Sequence, residues 1–253
     1  MNLTPGFLAI ALLFGATVAM VEVGRALGRR RRRLDGALEN VSAMENAAFA
    51  LLGLLMAFTF NGAATRFDVR RVQIVDESNA LGTAWLRLDL LPADHQPEAR
   101  RLFREYLDQR IAIYRTIPDM DRARAHIDSA AVLQARLWAA AVAGVQLQRD
   151  IVSTLVLPPL NDAFDMASTR MAAREMHPPA VIWGLLALLT MICCVLAGYD
   201  LSSDRRSWLH MLTLCLLLTA AIYVIVDFEY PRVGFIRLDG LDHLLVDLRA
   251  SIH

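Results

Sequence analysis

Apolar residues gather along the chain into four blocks, 7–27, 47–64, 180–198 and 208–226. Each is about 18–21 residues long, enough at ~1.5 Å rise per residue for a helix to cross a ~30 Å hydrocarbon core. The first block is not read as a cleaved signal peptide, because residues 1–6 carry no positive charge ahead of it. Its end is interrupted by Glu22 and Arg25, which stand three apart and can pair on one helix face. Between the second and third blocks the pattern changes. Residues 66–178 hold 15 Arg against 15 Asp plus Glu, and their apolar positions recur at helical spacing.

This segment predicts about four helices. The first covers 66–91 and can continue the second block without a break. The second covers 98–117 and stops before Pro118. The third, capped by Asp119 or Asp121, is expected to reach about residue 157, where Pro158 and Pro159 kink or end it. The fourth runs to 176. The fold class is therefore all-α: four transmembrane helices with a helical-bundle insert between helices two and three. The corresponding regions are a first helix pair with an arginine-rich loop (1–65), the insert (66–178), a second helix pair (179–228) and an amphipathic C-terminal tail (229–253).

Composition agrees with a membrane protein. Hydrophobic residues make up 56 % and charged residues 21 % of 253 residues, with a mean hydropathy of +0.38. The 26 basic residues are all Arg and balance 26 acids, so no basic excess points to nucleic acid. Cys193, Cys194 and Cys215 lie inside apolar blocks and read as small apolar filler. No nucleophile motif, phosphate loop or metal-protease signature is present, so no enzyme activity, cofactor or metal is expected. Orientation follows from arginines in short loops. Five stand at 29–33, and Arg205 and Arg206 lie in the loop between spans three and four. Both loops fall on one side, which the charge rule makes cytoplasmic, with the insert on the outer, periplasmic side.

Residues Leu51 to Phe60, then Arg66-Phe67-Asp68, Glu77 to Ala84, Leu86-Arg87 and Tyr106 resemble the bestrophin-like domain family of bacterial and plant membrane proteins. A second patch, Asn161-Asp162 through Arg170 with Pro178-Pro179, extends the likeness over most of the chain. The resemblance implies a multi-pass protein of the bacterial inner membrane. It also implies kinship with bestrophins, which are pentameric anion channels whose second span lines the pore. Bestrophins keep the insert and both termini cytosolic, the reverse of the orientation that the arginines favour.

In the second span Asn46, Ala50, Gly53, Ala57, Asn61 and Ala64 recur at steps of three and four and share a small or polar face. Two readings fit. Small residues allow close helix packing. Alternatively the span borders a pore, with Thr59, Asn61 and Thr65 as polar contacts, Leu55 and Phe58 as an apolar neck, and an arginine ring at Arg66. Beyond it, positions 67, 70, 74, 77, 81, 84, 88 and 91 form an apolar seam holding Arg70 and Glu77. A charge in such a seam needs a partner, and the two are about 10 Å apart along one helix. Each is expected to pair with another helix or subunit, and Arg87, off the seam, is a candidate partner. Structural pairing is weighed against an ion-coordinating or gating role for Glu77.

Asp227 and Glu229 read as ordinary acids at the end of span four. Asp239 and His243, four apart, read as a solvated face rather than a metal site. The tail carries an apolar stripe at Leu241, Leu244, Leu245, Leu248 and Ile252, suited to the membrane surface or to packing on the bundle. The expected function is a homo-oligomeric, anion-preferring ion channel. Its partners are the lipid bilayer, copies of itself and small inorganic ions. The alternative is a non-conducting sensor or scaffold whose insert is an interaction surface.

Overall fold

The computed structural model describes residues 4–35, 42–117, 119–146, 151–201, 208–232 and 234–252. They form eight α-helices and two short 3₁₀ turns, with no strand among the described residues. The helices are α1 (Thr4–Asp35), α2 (Ser42–Arg87), α3 (Gln96–Thr116), α4 (Met120–Gln146), α5 (Ile151–Glu175), α6 (Ala180–Asp200), α7 (Trp208–Glu229) and α8 (His243–Ser251). Four helical stretches each contain a segment long and apolar enough to cross a membrane: Phe7–Leu34, Ala43–Leu90, Val152–Asp200 and Trp208–Glu229. The chain divides into two compact units. Unit 1 comprises residues 1–67 and 177–236, and unit 2 comprises 68–176 and 237–253.

Unit 1 holds α1, the first half of α2, α6 and α7. Its core gathers Val21, Leu52, Leu186, Met211 and the three free cysteines, all buried. The tightest approach is between α1 and α6. A Cβ on Gly24 would lie 2.0 Å from the Val195 carbonyl oxygen, and one on Gly198 would lie 2.0 Å from that of Val21. Each helix therefore rests its backbone against a glycine of the other, the arrangement by which small residues let helices meet in lipid. Glu22 and Arg25 pair within α1 at 3.5 Å. We expect Gly198→Ala to cost about 1–3 kcal/mol by overpacking and to lower the melting temperature in detergent. Gly15→Ala, where an added Cβ meets nothing within 4 Å, should leave it unchanged. Equal melting of the two variants would contradict the close packing.

Unit 2 is a helical bundle with charged outer faces around a core centred on Phe103, Tyr106, Leu107, Leu137 and Leu160. The second half of α2 enters it without a break at the end of the apolar block. Its seam turns inward: Ile74, Leu81, Ala84, Leu88 and Leu91 are buried. α3 ends at Thr116, where Ile117 turns extended ahead of Pro118. Asp119 accepts the Arg122 N–H at 3.2 Å and caps α4.

One boundary differs from the sequence expectation. α5 (Ile151–Glu175) runs through Pro158 and Pro159 rather than breaking there, and residues 147–150, between it and α4, lie outside the described residues. The prolines remove the N–H groups that would bond the Thr154 and Leu155 carbonyls, a loss confined to one turn of a 25-residue helix. Residues 237–252 of the tail form part of unit 2, with Leu245 and Ile252 buried in its core.

Candidate functional site

Three features carry chemistry. The first is a buried charge cluster in unit 2. Glu77 on α2 is 0 % exposed. One carboxylate oxygen, Oε1, accepts two hydrogen bonds from Arg110 on α3, from Nε at 2.9 Å and Nη2 at 2.7 Å. The other, Oε2, accepts from Arg170 Nη1 on α5 at 2.7 Å and from the Tyr114 hydroxyl at 3.0 Å. Arg170 also donates to Asp242 at 2.6 Å, and its guanidinium lies 3.5 Å from the Tyr114 ring centroid. Two acids thus meet two guanidiniums, all with partners, which is the condition under which buried charge is tolerated.

Burial opposes ionisation of Glu77, but the Arg110 and Arg170 guanidiniums outweigh it and hold its carboxyl below the ordinary range. Burial, followed by the Glu77 charge, raises the Tyr114 phenol, so it remains the donor. Burial likewise pushes the neighbouring Tyr106 up to about 12. Arg70 is also buried. It donates to the Ala173 and Met176 carbonyls at 3.3 and 3.1 Å, satisfying groups left open at the end of α5. Arg87 is only half-buried and does not serve Glu77, whose bonds come from α3 and α5. The geometric reason is that Arg87 lies ten residues further along the same helix.

The second feature lies in unit 1, where α2 meets the end of α7. Glu229 is 0 % exposed and accepts from Arg66 Nε and Nη2 at 2.9 and 2.7 Å. Its other oxygen is 2.8 Å from His177 Nδ1, and the His177 ring stacks on Tyr230. Asp227, one helical turn's fraction earlier, is buried as well. It accepts the backbone N–H groups of Phe235 and Ile236, at 3.0 and 2.9 Å, in a turn where Gly234 leaves no room for a Cβ. Neither acid is the ordinary boundary residue that its position suggested.

The third feature is the face of α2 that nothing in unit 1 covers. Asn46, Ala50, Gly53, Ala57 and Asn61 are exposed, and a Cβ on Gly53 would meet nothing within 4 Å. Phe58 (67 % exposed) and Thr65 border the same face. The remaining pore candidates point elsewhere. Leu55 packs against the unit 1 core, and Thr59 is half-buried with its hydroxyl returned to the Leu55 and Met56 carbonyls. Arg66 is bound to Glu229, so its charge is compensated within the subunit. The physical reason is helical phase: 55, 59 and 66 lie roughly opposite 57 and 61 at about 100° per residue.

Sequence reasoning missed Arg110, Arg170 and Glu229. The first two carried a readable signal. Arg110 interrupts the α3 seam of Phe103, Leu107 and Tyr114, and Arg170 interrupts that of Leu160, Phe164 and Ala167. Glu229 carried none, because its partners are 163 and 52 residues away.

Four apolar stretches long enough to cross a membrane define a multi-pass membrane protein. A structure of a variant of the bacterial bestrophin homologue from Klebsiella pneumoniae superposes with a TM-score of 0.71 at 14% identity, covering 96% of this chain and 98% of that one. A second structure of that homologue gives 0.68 at 13% identity, covering 96% and 98%. A variant described only as a membrane protein gives 0.69 at 14% identity, covering 98% and 100%. The Bestrophin-like domain matches residues 9–239, and the chain belongs to that family. No curated protein matches the sequence significantly.

Proposed function

We propose that the protein is a homo-oligomeric ion channel in which copies of α2 surround the conduction path. The observation that carries the reading is the uncovered face of α2. Asn46 and Asn61 facing hydrocarbon would leave amide groups without partners, so lipid is a poor neighbour for this face. Further copies of the chain, or a water-filled path between them, satisfy it. Four spans in one subunit do not enclose such a path, whereas several subunits around an axis do. The membrane ion-channel family to which the fold belongs supports the same reading.

The proposal includes anion preference, which the bestrophin resemblance implies. Recording from the purified oligomer in planar bilayers under a KCl gradient tests it. We expect a reversal potential displaced toward the chloride equilibrium potential. Displacement toward potassium would reject anion preference and assign selectivity to the exposed Asp68 and Asp76 on α2. Electrical silence of correctly assembled oligomers would leave the scaffold reading.

The proposed orientation places the arginine-rich loops in the cytoplasm and unit 2 outside, following the distribution of arginines. A cysteine at Ala93, exposed in unit 2, should react with an impermeant thiol reagent in intact spheroplasts. Labelling only after lysis would reverse the orientation to the one that bestrophins adopt.

A further inference from the structure

The first span does not stop at the end of its apolar block. α1 continues as helix through the arginine run to Asp35. From Phe7 to Leu27 it rises about 30 Å at ~1.5 Å per residue, the thickness of the hydrocarbon core. Arg29, Arg30 and Arg33 then stand about 3–9 Å further along the axis, at the depth of the lipid headgroups. All three are exposed, and among the described residues their side chains form no hydrogen bond or ion pair. Arg31 and Arg32 interact within the chain and are not part of the site.

The helix also sets the phase of these arginines. Ala19, Val23, Ala26, Arg30 and Arg33 follow at steps of four and three on one exposed face, and Arg29 lies three residues beyond Ala26. Leu34, past the arginines, is 75 % exposed. An apolar side chain at that point favours a helix end held at the membrane surface over one projecting into water. The charge rule for orientation asks only for basic residues in the loop and does not account for this phase. The helix dipole accounts for Arg32 and Arg33 in the last turn, but not for Arg29 and Arg30 before it.

We propose that Arg29, Arg30 and Arg33 bind the phosphate of an anionic phospholipid headgroup at the membrane surface. A guanidinium donates paired N–H groups to two phosphate oxygens, while its apolar stem lies back toward the hydrocarbon. Phosphatidylcholine carries the same phosphate with a compensating cation, so net charge discriminates between the lipids. The assignment depends neither on ion conduction nor on which side of the membrane the loop occupies.

The test is native mass spectrometry of the full-length, delipidated protein in detergent micelles, titrated with phosphatidylglycerol and, separately, phosphatidylcholine. Protein in micelles has no orientation, so loss of the arginines as a topology signal does not enter the readout. We expect phosphatidylglycerol to bind at least tenfold more tightly. Arg30→Gln should weaken it about fivefold, the effect of one basic residue near an anionic surface. Replacing Arg29, Arg30 and Arg33 together by Gln should bring the two lipids within about twofold of each other. Replacing Arg115, Arg122 and Arg124 by Gln removes the same charge from exposed positions of unit 2 and should keep the wild-type preference. Thermal melting checks that each variant folds, and the single variant decides if the triple one does not. Equal binding of the two lipids would overturn the assignment, as would a preference retained in the Arg30 and triple variants or lost equally in the unit 2 variant. Displacement of phosphatidylglycerol by inorganic phosphate would also overturn it, in favour of a site for soluble anions.

Discussion

Replacing Glu77 with alanine is expected to lower the melting temperature of the detergent-solubilised protein on the order of 10 °C. Removing one member of a buried ion pair typically costs about 3–5 kcal/mol, because the partners keep their charge without its counterpart. Here the substitution leaves Arg110 and Arg170 both beside the Tyr114 ring, with Asp242 as the remaining acid of the cluster. The charge arithmetic provides a second arm. Two acids and two guanidiniums make the cluster neutral, so removing Glu77 alone leaves one excess positive charge. Glu77→Gln combined with Arg110→Met restores neutrality around the Arg170–Asp242 pair and should recover a large part of the loss. A double variant no more stable than Glu77→Gln alone would show that uncompensated charge is not the cause.

The same cluster sets a pH dependence. The Glu77 carboxyl lies below its ordinary value of 4.5 in the folded protein. Its contribution is therefore fully present above the unfolded value, and is lost as pH falls through the lower, folded one. Wild-type stability should decline below about pH 4.5, more steeply than that of Glu77→Gln, which has no carboxylate to protonate at that site. Parallel acid profiles for the two proteins would contradict the depressed pKa.

The helices were legible in the sequence because their signal is local. Block length gave the spans, the α2 seam gave an inward face for Ile74, Leu81 and Leu88, and Pro118 marked the end of α3. The limits were also physical. Pro158 and Pro159 look like a helix stop, but packing of Leu160, Ala163 and Phe164 into the core carries α5 through them. Glu77 could be singled out as a charge in an apolar seam. Its partners could not, since their helices come together only through tertiary packing. The small-residue stripe of α2 was legible as a face, but one helix does not reveal what covers it. In the folded subunit the glycines that bring helices close are Gly24 and Gly198 instead.

Ala57→Leu and Gly53→Leu should each leave the subunit folded, because both positions lie on the face that its own chain leaves open. Any large effect must then come through neighbouring copies, which makes these variants a direct probe of what lies against α2. If the helices surround a conduction path, the added side chains narrow it. Oligomers should assemble normally, with unitary current reduced by roughly half or more. Asn61→Leu should also reduce current, by removing a polar contact that replaces part of the ion's hydration shell. If the face is instead a close helix–helix contact, the leucines separate the copies, and size-exclusion chromatography shows dissociated subunits. Arg66→Glu is a poor substitute for this test. It places a second carboxylate beside the fully buried Glu229, and it is expected to unsettle unit 1 itself. Normal assembly with unchanged current in both leucine variants would remove α2 from the conduction path.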